Sequence, residues 1–204
     1  MQWLNQNSGA ISALTGILTL LVWLFYAQLL YNGYIRQRRP RIIINRGSGK
    51  NLTSLCLISN MSAEAIFVQH IIAVLETEEG EKQLDIVDYQ RSGDEEQQYR
   101  SHQGPLDSGA YLHVGSFRQI LEHLTDHHGL NDDGKEALSR RAYRALEIRV
   151  VAIYGSEDNP IGARRRFRLD PEGDDCRLIP DGLDTQRLAS RRQRHRIRQW
   201  MQEL

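Results

Sequence analysis

The sequence GAISALTGILTLLVWLFYAQLL, residues 9–30, contains no charged side chain over 22 consecutive positions. A helix rises about 1.5 Å per residue, so this length is sufficient to cross the roughly 30 Å hydrocarbon core of a bilayer. Trp3 lies just before the stretch and Tyr34 just after it, as expected of aromatic residues at a membrane interface. The stretch predicts a single transmembrane helix over residues 9–30, preceded by a short external segment, residues 1–8.

Basic residues follow the predicted span, and acidic residues do not. Residues 36–50 carry six Arg or Lys side chains and no Asp or Glu, whereas residues 1–8 carry no charged side chain. Because Arg and Lys are enriched on the cytoplasmic side of a span, we expect residues 1–8 outside and everything after residue 35 in the cytoplasm. The candidate membrane contacts in the basic juxtamembrane segment 31–40 are Arg36, Arg38 and Arg39.

A cleaved signal peptide is the competing interpretation of residues 9–30. Such a peptide has basic residues before a shorter apolar stretch and a small-x-small cleavage site after it, and this sequence has neither in convincing form. An uncleaved anchor is therefore favoured. The chain has 23 Arg and 3 Lys, which is typical of a GC-rich bacterial genome, so we expect an anchor in the bacterial inner membrane.

Small residues in the predicted span favour helix association. Ser12 and Gly16 are four residues apart, and this small-x-x-x-small pattern lets two helix backbones approach closely. A homodimer through the transmembrane helix is therefore a candidate. The alternative is that small residues are common in any single span.

Residues 41–170 have the length of one domain with its own core. Their apolar segments are short, rich in β-branched residues and separated by turn residues, which is typical of strands. The predicted strands are Arg41–Asn45, Ser54–Asn60, Ile66–Thr77, Gln83–Asp88, Ala110–Val114, Leu146–Tyr154 and Ala163–Leu169. Because helices do not alternate with these strands, their spacing favours an antiparallel sandwich of immunoglobulin-like type.

The segment Ile66–Thr77 is apolar at both odd and even positions. Because strand side chains alternate between the two faces of a sheet, this pattern predicts a central strand that is covered on both faces. Glu78-Glu-Gly-Glu81 predicts a hairpin turn to the next strand, and Gly155-Ser-Glu-Asp-Asn-Pro160 predicts a second hairpin.

A helical insertion is expected near residues 116–145. Ser116 and Gln119 form a capping box ahead of an apolar helical period, which predicts a helix over Phe117–His127. A weaker second helix is expected over Lys135–Ala145. Both would cover one end or edge of the sheet, where unpaired strand groups need protection.

His123 and His127 lie one turn apart in the first of these helices, a spacing at which two imidazoles can share a zinc ion. A metal-binding enzyme or metal sensor that uses this pair is therefore an alternative function. The competing explanation is that imidazolium is favoured near a helix C-terminus. The sequence has no zinc-protease motif, phosphate-binding loop or nucleophile elbow, so we expect neither catalytic activity nor a cofactor.

The C-terminal residues 185–204 contain six Arg and one Glu, and predict a basic amphipathic helix. Its apolar stripe consists of Ile197, Trp200, Met201 and Leu204. The candidate membrane or partner contacts are Arg191, Arg192, Arg194, Arg198 and Trp200. Such a helix can lie on an anionic leaflet, bind an acidic partner, or pack on its own domain next to the acidic linker of residues 171–184. Nucleic acid is the least favoured partner.

The whole layout resembles that of bacterial inner-membrane proteins with one N-terminal helix and a cytosolic β domain. Cys56 and Cys176 lack a metal-ligand spacing and are consistent with reduced thiols in the cytoplasm. Together these features favour a membrane-anchored interaction or scaffolding protein that contacts the lipid bilayer and a protein partner. An accessory subunit of a membrane transporter or channel is a further alternative.

Overall fold

The computed structural model describes residues 7–37, 40–88, 101–130, 143–155, 159–172 and 175–204, without the side chains of residues 35–37 and 191. The chain divides into two compact units, Met1–Arg39 and Pro40–Leu204. The described helices are α1 (Ser8–Gln37), α2 (Phe117–His127) and α3 (Arg191–Gln202). The described strands are β1 (Ile42–Arg46), β2 (Leu55–Asn60), β3 (Ile66–Thr77), β4 (Gly80–Asp85), β5 (Gly104–Leu106), β6 (Tyr111–Ser116), β7 (Tyr143–Tyr154), β8 (Pro160–Glu172), β9 (Asp175–Pro180) and β10 (Gln186–Leu188).

The first unit contains α1, which continues to Gln37, beyond the predicted end at residue 30. Its segment Ser8–Tyr34 has a mean hydropathy of 2.0 and is long and apolar enough to span a membrane. The hydroxyl groups of Thr15 and Thr19 donate to carbonyls one turn earlier, at 2.9 and 2.8 Å, so neither polar group lacks a partner in this apolar helix. The N-terminal helix expected from the sequence is present.

The larger of two sheets in the second unit is built around β3. This strand pairs with β7 along nearly its whole length, and β7 pairs with β8. Both predicted hairpins, β3 with β4 and β7 with β8, are confirmed. β4 and β5 share the outer side of β3, and β9 and β10 share the outer side of β8, so two short strands form each edge.

The smaller sheet has the order β1-β2-β6, and every strand pair among the described residues is antiparallel. One apolar core contains residues of both sheets. Its members include Ile42, Ile44, Cys56 and Ile58 from the smaller sheet, and Ile71, Ala73, Leu75, Ile148 and Val150 from the larger one. The expectation of a mostly antiparallel β domain with a few short helices is therefore confirmed.

Strand β3 is covered on both faces, as its sequence predicts. Ile71, Ala73 and Leu75 belong to the main core, whereas Ile72 and Val74 belong to a separate apolar cluster on the opposite face. All five side chains are at most 3 % exposed. Helix α3 packs on this second cluster, as described below.

Helix α2 begins as predicted, because Ser116 and Gln119 form the reciprocal bonds of a capping box. Its apolar face is buried in the main core, where the Phe117 and Phe167 rings pack in a T-shaped arrangement with a centroid distance of 4.9 Å. The predicted second helix over Lys135–Ala145 lies mostly outside the described residues. Its last residues, from Tyr143 onwards, begin β7 instead.

The structure also differs from the predicted acidic linker of residues 171–184. Strand β8 continues to Glu172 and forms a hairpin with β9, in which Cys176 and Leu178 are buried. Buried and exposed positions alternate in this strand, but the many acidic residues around it made the strand pattern hard to recognise in the sequence. Residues 186–188 then pair with β8 as β10, so the C-terminal helix begins after its N-cap at Ser190 instead of at residue 185.

Candidate functional site

Helix α3 packs on the face of the larger sheet that is opposite the main core. Ile197 is fully buried and Trp200 is 4 % exposed. The residues that form one apolar cluster with them are Ile72, Val74, Val151 and Leu188, from three strands of the sheet. The helix therefore covers the second face of β3.

Gly162 allows this close approach. A Cβ atom added there would lie 3.0 Å from the Cγ1 and Cδ1 atoms of Ile197 and 3.4 Å from the Cβ of Leu188. A side chain at this position of β8 would require Ile197 to shift by a few tenths of an ångström, in a place that is tightly packed. The absence of a side chain at residue 162 is therefore part of what fixes α3 on the sheet.

Polar contacts hold the C-terminal end of α3 on the domain. The guanidinium of Arg149 lies over the Trp200 ring, 4.9 Å from its centroid, and its Nε donates to Glu147 at 2.6 Å. Gln83 donates from Nε2 to the carbonyl of Glu203 at 2.9 Å. Trp200, a predicted membrane or partner contact, is therefore packed within its own domain. Contact of this side chain with a membrane or a partner would require α3 to leave the sheet.

The acidic residues near 171–184 have other partners than α3. Asp175 accepts from Arg118 at 2.9 Å and from Asn51 at 3.0 Å. Asp181 accepts from Arg166 at 2.7 Å, and Arg166 also bonds Glu76, which raises the pKa of Arg166. The expectation that the acidic stretch neutralises the helix therefore finds no support in these contacts. In the part of the chain that the structure describes, no carboxylate pairs with the exposed residues Arg192, Arg196 and Arg198.

The basic flank of α3 lines a groove of about 410 Å³. The described residues that line it are Arg194, His195 and Arg198 on the helix and Asn159, which immediately precedes β8. We call this the α3 groove. Arg191, another predicted contact, begins α3 one turn before Arg194, and its side chain lies outside the described set. The groove therefore brings two guanidinium groups together with an imidazole and an amide.

Sequence reasoning identified Arg194 and Arg198 but missed Asn159 and His195. Arg194, His195 and Arg198 fall on one side of a helix because they follow the three- and four-residue spacing of a helical turn. That spacing was readable in the sequence for the three helical residues. Asn159 carried no such signal, because the β7–β8 hairpin brings it to α3 from a distant part of the chain.

The predicted metal pair lies on α2. Burial lowers the pKa of His123, and the nearby His127 lowers it further, while Asp126 acts in the opposite direction. The His127 and His128 rings pack in a T-shaped arrangement at a centroid distance of 5.1 Å. Among the described residues, no group of three or more His, Cys, Asp or Glu side chains is arranged to hold a metal ion. A metal site at His123 and His127 stays a prediction.

A histidine–carboxylate contact that the sequence did not indicate lies where β3 bulges. His70 Nδ1 is 2.6 Å from Asp85 Oδ2, and the register with β7 shifts between Val68 and His70. The other oxygen of Asp85 accepts from the backbone N–H groups of Ile71, at 3.3 Å, and Val87, at 3.0 Å. These bonds fix the end of β4 against β3, which is a structural role.

The two cysteines are buried and free. Burial raises the pKa of the Cys56 thiol to about 12, and burial together with Asp175 raises that of Cys176 to about 11. Thiolates are the reactive form of cysteine, so neither residue has the environment of a nucleophile or a metal ligand.

The other predicted site residues belong to the first unit. Ser12 and Gly16 lie on α1, and a Cβ added at Gly16 would have no atom within 4 Å in this chain. Arg36 lies in the last turn of α1, with a side chain outside the described set, and Arg38 and Arg39 also lie outside it. Helix association and membrane contact by these residues stay predictions.

Comparisons with known protein families, with curated proteins and with solved structures give no match to this chain. The functional argument therefore depends on the residues of the chain itself.

Proposed function

We propose that this chain is a single-pass membrane-anchored interaction or scaffolding protein, with its β domain in the cytoplasm of a bacterial cell. The observation that carries the proposal is α1, which is long and apolar enough to span a bilayer and is followed by six basic residues without an acidic one between positions 36 and 50. This asymmetry favours an inner-membrane anchor with its N-terminus outside.

The surface of α3 in the second unit supports a binding role. Arg192, Arg196 and Arg198 on this helix are exposed and have no carboxylate partner among the described residues. Exposed arginines without a carboxylate partner on a docked helix favour an anionic partner, which is a lipid leaflet or an acidic protein surface.

The immunoglobulin-like character of the sandwich is part of this proposal. Its support is that two antiparallel sheets contribute to one core. Such domains commonly act as binding modules, although the fold alone defines no function.

Membrane topology tests the anchor. A reporter that is active only outside the cytoplasm will be silent when fused after Leu204 and active when fused before Met1. Replacing Arg36, Arg38 and Arg39 with Glu will increase the signal of the C-terminal fusion. A strong C-terminal signal from the unmodified chain would refute the cytoplasmic orientation.

Crosslinking in intact membranes tests the interaction role. A photoreactive amino acid at the exposed position 192, on α3, is compared with one at Tyr111, an exposed residue of the smaller sheet. A scaffold will give discrete crosslinked products from at least one position, and mass spectrometry will identify them. Membranes in which neither position gives a discrete product would contradict the proposed role.

A further inference from the structure

We propose that one end of the smaller sheet lies on the anionic leaflet of the membrane in which α1 is anchored. The contact surface consists of Arg41, Ile43, Met61 and Tyr111, which we call the strand-end patch, and the neighbouring Arg187. This inference rests on the proposed function, because it assumes that α1 anchors the chain. None of these five residues was among the contacts predicted from the sequence.

The alternation of side chains places the strand-end patch on the outer face of the smaller sheet. The adjacent residues Ile42 and Ile58 are buried in the main core. Because successive side chains of a strand point to opposite faces, Arg41, Ile43 and Met61 face away from that core. Met61 is 54 % exposed. The patch is therefore an open surface of the described domain.

The residues of the patch are neighbours across three strands. The backbone N–H of Met61 donates to the carbonyl of Arg41 at 2.8 Å, so these two residues lie side by side. Ser59 pairs with both Ile43 and Tyr111 and forms the next row of the sheet. Tyr111 is 66 % exposed. A basic, an apolar and an aromatic side chain thus stand together, a combination that is favourable where headgroups meet acyl chains.

Chain length brings this end of the sheet to the membrane. Gln37 is the last residue of α1, and Arg41 follows four residues later. Four residues span at most about 14 Å when fully extended, so an anchored chain keeps Arg41 near the headgroups. Leu55, at the other end of β2, is six residues from Met61, or about 20 Å along the strand. Only one end of β2 is therefore held next to the leaflet.

The charge of these chain segments is suited to an anionic leaflet. Residues 36–62, which contain β1 and β2, carry six Arg or Lys side chains and no Asp or Glu. Residues 104–116, which contain β5 and β6, carry Asp107 as their only acidic residue. The smaller sheet and the chain that leads into it are therefore positively charged, and attraction to anionic lipids follows.

Arg187 adds a second basic group at this end. Its Nη1 donates to the carbonyl of Pro40 at 3.3 Å, which places it next to the entry of the chain into the domain. Among the described residues, no carboxylate pairs with Arg41 or with Arg187. Both guanidinium groups can therefore bind lipid phosphates.

Fluorescence quenching in nanodiscs tests the inference. Full-length protein with Met61→Cys is labelled with a thiol-reactive NBD fluorophore and placed in nanodiscs of phosphatidylglycerol and phosphatidylcholine that contain a doxyl-labelled lipid. Cys56 and Cys176 are buried, so the parent chain serves as the labelling blank. We expect the emission at residue 61 to shift to the blue and to be quenched by the doxyl lipid.

The matched control is Leu55→Cys, because Leu55 is also an exposed apolar residue of β2 but lies at its other end. We expect its label to be neither shifted nor quenched. Unquenched emission at residue 61, or equal quenching at both positions, would overturn the inference. A label at residue 61 that is shielded in cell membranes but unquenched in nanodiscs would assign the patch to a protein partner instead and would also overturn it.

Charge variants test the contact with headgroups. Fluorescence lifetimes of the label at residue 61 resolve its docked and undocked populations. We expect Arg41→Gln combined with Arg187→Gln to lower the docked-to-undocked ratio by about thirtyfold at low salt, because two arginines lose their attraction to the anionic leaflet. Nanodiscs of phosphatidylcholine alone should give a similar loss in the parent. Docking that is independent of both changes would overturn the anionic assignment.

The control for these variants is Arg144→Gln combined with Arg168→Gln. Both arginines are exposed, and neither has a carboxylate partner among the described residues. They lie near the start of β7, and Tyr154 at its other end is ten residues away, or roughly 30 Å along the strand. We expect a change of less than about twofold. Equal losses in the two double variants would show diffuse attraction and overturn the inference.

The two proposals can fail separately. A chain that does not enter nanodiscs, or whose C-terminal topology reporter is active, refutes the anchor. An anchored chain with unquenched emission at residue 61 refutes the strand-end patch alone. If Arg187→Gln disturbs folding, as judged by circular dichroism, Arg41→Gln alone carries the charge test, because the described hydrogen bonds of Arg41 are made by its backbone.

Discussion

Replacing Ile197 with Ala will weaken the docking of α3 on the larger sheet. The substitution removes three carbon atoms from a side chain that is fully buried. At about 0.8 kcal/mol for each buried carbon the transfer term is about 2.4 kcal/mol, and the cavity left behind raises the total to roughly 2–5 kcal/mol. A loss of about 2.4 kcal/mol increases the undocked fraction of the helix by a factor of about 50.

The helix will respond before the rest of the domain. Ile197 and Trp200 belong to the smaller apolar cluster, whereas the main core lies on the opposite face of the sheet. A 12-residue helix is marginal in water without tertiary contacts, so an undocked α3 will also unwind. We therefore expect local opening of α3, with the main core intact.

Trp200 reports this opening directly. In a background with Trp3 and Trp23 replaced by Phe, the emission of Trp200 will be shielded from iodide in the parent and quenched in Ile197→Ala. The matched control is Met201→Ala, because Met201 lies on the same helix but is 37 % exposed. Free quenching of Trp200 in the parent, or equal effects of the two substitutions, would refute the packing argument.

Four further measurements test other features. Cys56 and Cys176 will resist alkylation at about pH 8 until urea unfolds the chain, because their pKa values are raised to about 12 and about 11. Asn60→Ala will reduce the free energy of unfolding by roughly 2–4 kcal/mol, since its buried amide makes three hydrogen bonds to backbone groups. Burial lowers the pKa of His123 from its usual value of 6.5, so the unfolded chain binds this proton at a higher pH than the folded chain does. The parent therefore loses stability as the pH falls below about 6.5, and thermal melts will show a smaller loss in His123→Gln than in the parent. Gly16→Leu will weaken self-association of α1 in a membrane reporter.

Each of these four predictions would be contradicted by a specific result. Labelling of either cysteine in the native protein would contradict its burial. A thermal midpoint that is unchanged in Asn60→Ala would show that its hydrogen bonds are replaced by water. Parallel pH profiles for His123→Gln and the parent would remove His123 from the acid response. Leu18→Ala is the control for Gly16→Leu, and equal effects of the two would leave no specific association face.

The parts of the fold that the sequence predicted are those with a local signal. The apolar residues on both parities of Ile66–Thr77 predicted a doubly covered strand, and the structure places a core on one face and α3 on the other. Ser116 and Gln119 predicted the start of α2, because both partners of a capping box lie within one turn. The hairpin turns were predicted for the same reason.

The parts that were missed depend on distant contacts. Strand β10 has three residues, and only its pairing with β8 defines it. The α3 groove depends on where α3 lies, and Gly162 on β8 helps to decide that position through its missing side chain. Asn159 becomes part of the groove only after both elements are in place. No local sequence pattern connects these residues. The sequence therefore predicted the arginines of α3 as contacts but did not predict the α3 groove.

The position of α3 also affects how the domain is made. Chains leave the ribosome from the N-terminus, so every strand of the larger sheet is synthesised before residues 190–203. Until that segment emerges, Ile72, Val74 and Val151 have no cover and present an apolar patch to solvent. A nascent or prematurely ended chain therefore carries a surface that chaperones and proteases recognise. Docking of α3 covers that surface, so the larger sheet is complete only after residues 190–203 have been synthesised.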